Sequence, residues 1–167
     1  MPIDALQIAD MSEKTNVARI FDSLGLKYAF HTYEGDGSLT ASEVAELVGA
    51  DGSRVFKTLV TVGKSGRNYV FAIPAPNELD LKKAAKAAGE KSVEMLKLKD
   101  LLPATGYVHG GCSPVGMKKR FPTFLHESAR NFESILLSAG RIGAQVEISP
   151  DELAKAVNYS FADLVSN

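Results

Sequence analysis

The chain has 167 residues, 45% hydrophobic and 23% charged, proportions typical of a folded globular protein with one sizeable core. A net charge of −1, from 19 basic and 20 acidic residues, excludes a strongly basic chain, so any surface that binds nucleic acid must be local. The single cysteine, Cys112, excludes an internal disulfide and a multi-thiolate metal site.

The sequence shows no targeting signal. No stretch has the apolar length of a membrane span, and residues 1–14 lack the basic flank and apolar core of a signal peptide. We therefore expect a cytoplasmic protein that forms one domain over residues 1–167. The three histidines are widely spaced, and we expect no metal, no other cofactor, and neither a membrane nor DNA as partner.

The first third of the chain carries helix and strand signals in turn. Apolar residues at helical spacing predict a helix over residues 12–24, with Gly25 as its C-cap, and residues 26–33 predict a strand. The spacing of Thr40 and Glu43 is a capping-box pattern, which predicts the start of a second helix that stops at Gly49.

A hairpin and a helix are predicted next. Residues 54–62 are rich in β-branched side chains, and the turn sequence KSGRN leads into a second strand over residues 69–73. Asp80 can cap a helix over residues 81–88, which Gly89 ends.

The second half of the chain contains short apolar runs rather than long periodic segments. A further helix is predicted to begin at Ser149, with Pro150 in its first position. Strand signals outnumber helix signals and several follow one another like hairpins, so the fold class predicted is mixed α+β. The apolar runs are residues 107–109, 123–125, 135–138 and 145–148.

Lys57 stands in a segment otherwise suited to the interior of a sheet. Because alternate side chains of a strand face opposite sides, it points away from Phe56 and Thr58. The ordinary interpretation is a lysine at a sheet edge or barrel rim whose charge reaches water. The functional alternative is a fixed cation at a cleft, facing a phosphate or a developing oxyanion.

Two glycine-rich segments could hold an anion through backbone N–H groups. The first, GGCSP, begins with Gly110 and Gly111 and is followed by three consecutive cations, Lys118, Lys119 and Arg120. The second, SAGRIG over residues 138–143, offers Ser138 and Arg141 for ligand contact. Each segment taken alone is also typical of a turn between strands, and a short charge run is usually a solvated face.

Cys112 raises the hypothesis of a catalytic thiol. A nucleophilic cysteine needs a base or a positive field to form the thiolate. His109 lies three residues upstream, but no Asp or Asn nearby is suited to orient it. The sequence therefore favours a structural role for Cys112.

Taken together and in this order, these segments resemble the YbaK family of aminoacyl-tRNA deacylases, which includes the editing domain inserted in bacterial prolyl-tRNA synthetases. The resemblance covers nearly the whole chain. Its most specific part pairs the Lys57 strand with the GxxxP loop that runs from Gly110 to Pro114. The matching segments are residues 31–34, 55–60, 79–95, 105–124 and 138–153.

The resemblance implies a mixed barrel-like sheet with packed helices, and hydrolytic removal of a wrong amino acid from tRNA, usually cysteine from tRNA(Pro). By position, Lys57 would contact the phosphate region of the terminal adenosine, and the backbone of Gly110 and Gly111 would hold the aminoacyl carbonyl. The implied substrate-binding residues are Tyr33, Thr58, Ser113, Pro114, Ser138 and Gly140. The cations predicted to contact RNA are Lys118, Lys119, Arg120 and Arg141.

Two positions depart from the pattern of the YbaK family. Leu39 or Thr40 stands where some members have a phenylalanine in the pocket, and Gln145 stands where some carry an aspartate. Both positions bear on which amino acid is selected.

In the YbaK branch the thiol of the substrate cysteine attacks its own ester, so the protein supplies position and oxyanion stabilisation.

The expected partners are aminoacyl-tRNA and prolyl-tRNA synthetase. Three alternatives stay open at this point. One is an alanyl- or seryl-tRNA deacylase of the same fold, in which water attacks the ester. The second is a non-catalytic module that binds the tRNA end or the synthetase, and the third is a thiol-dependent redox enzyme that uses Cys112.

Overall fold

Two β-sheets organise the chain in the computed structural model, which describes residues 14–166. The smaller sheet is antiparallel, with strand order β1–β7–β6. The larger sheet has the order β4–β2–β3–β5–β8; β3, β5 and β8 run parallel to one another, and the remaining pairs are antiparallel. The strands are β1 (Tyr28–Thr32), β2 (Phe56–Gly63), β3 (Asn68–Pro74), β4 (Val93–Met95), β5 (Thr123–His126), β6 (Ile135–Ser138), β7 (Ala144–Ile148) and β8 (Tyr159–Ala162).

The helices are short and most begin and end at the residues that the sequence indicates. The side chain of Thr40 accepts the N–H of Glu43, which completes the predicted capping box, and Gly49 ends that helix with φ at +72°. Asp80 and Ser149 cap two others. The helices are α1 (Asn16–Ser23), α2 (Ala41–Val48), α3 (Leu81–Ala88), α4 (Leu98–Thr105) and α5 (Pro150–Leu153), and 3₁₀ turns span Gly52–Arg54 and Glu127–Asn131.

The first predicted helix reaches beyond the described part of the chain. Its predicted residues 12 and 13 lie outside the described residues, and the helix found there begins at Asn16. None of the helices within residues 14–166 is long and apolar enough to cross a membrane.

One predicted strand is wrong and three elements were not predicted. Residues 107–109 form a loop, because the Tyr107 N–H donates to Thr105 Oγ1 at 3.0 Å and its hydroxyl donates to the Val115 carbonyl. The unpredicted elements are β4, α4 and β8. The first two carry exposed apolar residues such as Met95 and Leu98, so their periodic pattern is weak.

The main core lies where the two sheets face each other. Phe56 and Val60 of β2 pack there with Leu137 of β6 and Val146 of β7. An isolated bridge between Val55 and Leu136 joins the start of β2 to the smaller sheet. The predicted α+β class with a mixed, barrel-like sheet is therefore confirmed.

A second cluster covers the outer face of the larger sheet. Tyr69, Phe71 and Ile73 of β3 pack there against Ala84 and Ala85 of α3. The predicted two-sided pattern of β2 agrees with this arrangement, since Phe56 and Val60 face the main core and Leu59 packs against the second cluster.

Candidate active site

A cavity of about 620 Å³ opens beside the first half of β2. Its walls come from α2, β2, the segment from β4 into α4, the loop after residue 108, and the ends of β6 and β7. The polar residues among those that line it are Ser38, Thr40, Lys57, Thr58, His109, Ser138 and Gln145. A volume of this size is typical of small-molecule and cofactor sites.

The cavity occupies an unpaired edge of β2. Strand β4 pairs only with Thr61–Gly63 of β2, and the last contact on this side is the Leu96 N–H donating to the Val60 carbonyl at 3.0 Å. Before Val60 in the chain, β2 has no neighbouring strand on this edge within the described residues, apart from the bridge at Val55. The edge therefore supplies backbone groups to the cavity.

The register of the hairpin shows which backbone groups these are. The Ala75 N–H donates to the Val55 carbonyl at 2.7 Å, and alternate residues of an antiparallel strand bond to the same neighbour. Lys57 and Leu59 consequently bond to β3. Thr58 directs its backbone N–H and carbonyl toward the open edge, where it lines the cavity.

Lys57 lies at the cavity wall with a half-buried side chain. Its Nζ donates to the Ala75 carbonyl at 3.1 Å, and no carboxylate of residues 14–166 forms an ion pair with it. Burial lowers the pKa of the Lys57 ammonium, an effect that the charge of Glu78 partly opposes. The sequence-based alternative of a fixed cation at a cleft fits this position.

The two loop glycines make close backbone contacts. Gly110 has φ at +87°, and a Cβ built on it would lie 3.2 Å from the Cα of Gly37. A Cβ on Gly111 would lie 2.9 Å from the carbonyl carbon of Arg141. Side chains at either position would push apart the loops that close this end of the cavity.

The amide groups of this loop differ in availability. The Gly111 N–H donates to the Val108 carbonyl at 3.0 Å, so it is not free to hold a substrate carbonyl. The amides of Gly110 and Cys112 donate to no other group within residues 14–166, and both residues line the cavity. Gly111 was predicted to hold the substrate carbonyl through its backbone, but its amide bonds within the loop and the residue serves loop packing. The available donors of this loop at the cavity are the backbone N–H groups of Gly110 and Cys112, which have no partner among the described residues.

Ser113 and Pro114 face the protein interior rather than the cavity. Ser113 is fully buried and its Oγ accepts the Val115 N–H at 3.1 Å. Pro114 lies beside Leu125 and Leu137 of the main core. Both residues fix the loop and neither lines the cavity.

Ser138 and Gln145 line the wall opposite β2. The Ser138 Oγ accepts the Gly140 N–H at 3.1 Å. Gln145 is 6% exposed, and its Oε1 has no hydrogen-bond partner among the described residues; the same holds for Thr58 Oγ1. Because buried polar atoms are normally paired, two unpaired oxygens in one cavity indicate a place for a donor from water or substrate.

Tyr33 and Gly140 lie outside the cavity lining. Tyr33 is half-buried and its N–H donates to the Gly143 carbonyl at 2.9 Å. Gly140 packs against Tyr107, since a Cβ on it would lie 3.2 Å from Tyr107 Cε1. These two predicted pocket residues support the loops around the cavity.

Cys112 lines the cavity but is not activated. It is 8% exposed, and burial raises the pKa of its thiol to about 12. The thiol is therefore protonated at neutral pH, which agrees with the structural role expected for it. Within residues 14–166 no three side chains of His, Cys, Asp or Glu cluster in a way that could hold a metal ion.

The predicted RNA-contacting cations lie at the surface, except for one. Lys118, Lys119 and Arg120 are exposed. The stem of Lys118 lies along Gly106 at the end of α4, and its N–H donates to the Thr105 carbonyl at 3.0 Å. Arg141 is half-buried in the loop that packs against Gly111.

An ion network behind the cavity was not predicted. Glu147 Oε1 lies 2.9 Å from His31 Nε2, and its Oε2 accepts from Arg54 at 2.8 Å and from Ser134 at 2.7 Å. These contacts, with Ser134 and His31 first, hold the pKa of Glu147 at about 2. The network ties the start of β2 to β7, three residues before Lys57 and two after Gln145.

Comparison with known proteins identifies the family of this chain. Residues 36–156 match the family described as the aminoacyl-tRNA editing domain. The chain belongs to this family, and the YbaK-type class expected from the sequence is confirmed.

Three similar proteins place the chain within the family. An inferred Cys-tRNA(Pro)/Cys-tRNA(Cys) deacylase, EbsC, of Enterococcus faecalis is 46% identical over 92% of this chain and 94% of its own length. The crystal structure of an inferred trans-editing enzyme for prolyl-tRNA synthetase has a TM-score of 0.76 and 28% identity, covering 92% of this chain and 99% of that one. A proline–tRNA ligase of Shouchella clausii is 31% identical over 62% of this chain and 18% of the ligase.

Proposed function

We propose that this protein hydrolyses the ester of mischarged tRNA in trans, with Cys-tRNA(Pro) as its main substrate. The observation that carries the proposal is the composition of the cavity. A half-buried ammonium group and unpaired backbone amides line it, whereas the one thiol has a pKa of about 12. Such a site holds and polarises an ester and offers no thiolate to attack it.

The attacking group in this proposal is the thiol of the substrate cysteine. Its sulfur forms a bond to the ester carbonyl carbon, the bond from that carbon to the ribose oxygen breaks, and the ribose oxygen takes up the proton of the thiol. Water then hydrolyses the cyclic thioester to free cysteine. The amides of Thr58, Gly110 and Cys112 stabilise the oxyanion, and Lys57 holds the phosphate region of the terminal adenosine.

A specific observation favours a second substrate class. Thr58 Oγ1 and Gln145 Oε1 are unpaired in the cavity and could hold a water molecule between them. Water held there would attack esters of alanine or serine, which lack a thiol. A hydroxyl side chain could occupy the same place, so seryl-tRNA is the stronger of these two.

Prolyl-tRNA synthetase is the proposed partner. The names of the similar proteins associate this fold with that synthetase, and the nearly balanced charge of the chain, −1 overall, is consistent with weak RNA binding by the protein alone. The synthetase would then supply the selectivity for tRNA(Pro).

The test is a deacylation panel on Cys-, Ser- and Ala-tRNA(Pro), each with and without prolyl-tRNA synthetase. We expect Cys-tRNA(Pro) to be hydrolysed fastest, with the synthetase raising the rate at low tRNA concentration. Faster hydrolysis of Ser- or Ala-tRNA(Pro) would establish the water mechanism instead. Binding without hydrolysis of any of the three would show a non-catalytic module and contradict the proposal.

A further inference from the structure

The mouth of the cavity continues into an exposed apolar strip on α4. Leu98 lines the cavity and is 68% exposed, and Leu102 is 51% exposed. A spacing of four residues puts both side chains on one face of the helix. Met95, just before α4, is also exposed and lines the cavity. We name these three residues the α4 ridge.

Positive charge surrounds the α4 ridge. Lys97 and Lys99 flank Leu98 in sequence and are exposed. At the far end of the helix, the stem of Lys118 lies 3.2 Å from a Cβ built on Gly106. At 1.5 Å per residue, Gly106, which the Lys118 stem contacts, lies about 12 Å along the helix from Leu98.

The acidic residues nearby point elsewhere. Glu94 alternates with Met95 in β4, so its side chain projects from the opposite face of that strand. Asp100 lies two positions from both leucines of the α4 ridge, Leu98 and Leu102, and residues at that spacing do not share a helix face. The exposed face of the α4 ridge is therefore apolar along its length with cations at its borders.

We propose that the α4 ridge binds the unpaired 3′ end of the tRNA and leads its terminal nucleotide into the cavity. Unpaired bases offer apolar faces that pack on such a strip, and the phosphates between them match the bordering lysines. This inference rests on the proposed function, because it presumes that the cavity receives the esterified end.

The test uses uncharged RNA hairpins, so that no catalysis is required. One hairpin imitates the acceptor stem and ends in the unpaired sequence ACCA, and a second lacks those four nucleotides. Fluorescence anisotropy should show that the wild type binds the first about tenfold more tightly than the second. In the double variant Leu98→Ser/Leu102→Ser that preference should fall below about twofold.

Control variants separate this role from general effects. Leu47→Ser on α2, with a side chain 55% exposed, should keep the full preference for the unpaired end. Lys99→Ala should weaken binding of the hairpin with the unpaired end and leave the other hairpin little changed, since it removes a contact to phosphates of the unpaired nucleotides. Leu102 lies outside the cavity lining, and the single variant Leu102→Ser should lose part of the preference for the unpaired end. Thermal unfolding checks that each variant is folded.

The inference is overturned if the double variant keeps the preference or loses affinity equally for both hairpins. It is also overturned if the double variant binds RNA normally but no longer co-elutes with prolyl-tRNA synthetase, which would make the α4 ridge a protein interface. A wild type that prefers the unpaired end but hydrolyses no aminoacyl-tRNA would refute the proposed function and support the inference. A hydrolytic wild type without that preference would refute only the inference.

Discussion

At the scale of single residues, the site depends on which groups the backbone leaves unpaired. The face of the strand on which Lys57 lies could be predicted from the sequence, because side chains alternate along a strand. The loop glycines likewise indicate that the backbone approaches a neighbour closely there. The free amide of Thr58 could not be predicted from the sequence, because it depends on the point at which β4 stops pairing with β2. Similarly, the engagement of the Gly111 amide with Val108 depends on loop geometry that residue types do not encode.

Replacing Lys57 tests the cation directly. Lys57→Ala should lower kcat/KM for Cys-tRNA(Pro) by about 100-fold or more, the usual cost of removing an electrostatic stabiliser. The variant should remain folded, since the ammonium makes one hydrogen bond, to Ala75. Lys64→Ala, an exposed lysine in the hairpin turn of the same sheet, is the matched control and should retain wild-type activity. Unchanged turnover in Lys57→Ala would remove Lys57 from the site.

Replacing Cys112 tests the origin of the nucleophile. Cys112→Ala should keep most of the deacylase activity, because a buried thiol with a pKa of about 12 supplies no thiolate at neutral pH. The check compares steady-state rates of Cys112→Ala and the wild type on Cys-tRNA(Pro), with circular dichroism to verify folding. A folded but inactive Cys112→Ala protein would assign the attack to the enzyme.

At the scale of elements, the ion network links the two walls of the cavity. Arg54 precedes β2, and Glu147 lies on β7 on the same face as Gln145, so their contact links the wall that carries Lys57 to the wall that carries Gln145. Local sequence patterns predicted both strands but not this contact, since 93 residues separate its partners. Helix α4 escaped prediction for a different reason, because apolar residues stand both on its cavity side and among its exposed residues and leave no clear helical period.

The network makes a prediction about stability and pH. Because its partners lower the pKa of Glu147 from 4.5 to about 2, the carboxylate stabilises the fold fully above pH 4.5 and loses this contribution as the pH falls toward 2. Glu147→Gln should therefore lower the free energy of unfolding by roughly 2 kcal/mol at pH 7 and by less at pH 3.

Urea unfolding at the two pH values checks this prediction. The exposed Glu133, in the segment that leads into β6, provides the control, and Glu133→Gln should change the free energy of unfolding little at either pH. A loss in Glu147→Gln that is equal at pH 7 and pH 3 would show that the network does not stabilise the ionised carboxylate.

At the scale of the whole molecule, the site exists because two sheets meet at one unpaired strand edge. The order β1–β7–β6 pairs β1 with a strand that follows more than 100 residues later, and the bridge from Val55 to Leu136 docks that sheet on the start of β2. Caps, turns and strand alternation predicted most elements, because they act over a few residues. The sheet order depends on long-range pairing and was not predicted, since the resemblance to the YbaK family implied only a mixed barrel-like sheet with packed helices.

The central claim is that the substrate supplies the nucleophile and the protein supplies position and polarisation. The most direct measurement compares the single-turnover hydrolysis of Cys-tRNA(Pro) with that of the same tRNA carrying S-methylcysteine. The two substrates differ by one methyl group on sulfur, and the cavity of about 620 Å³ has room for it. We predict that the methylated substrate resists hydrolysis at saturating protein, whereas equal rates for the two would contradict attack by the substrate thiol.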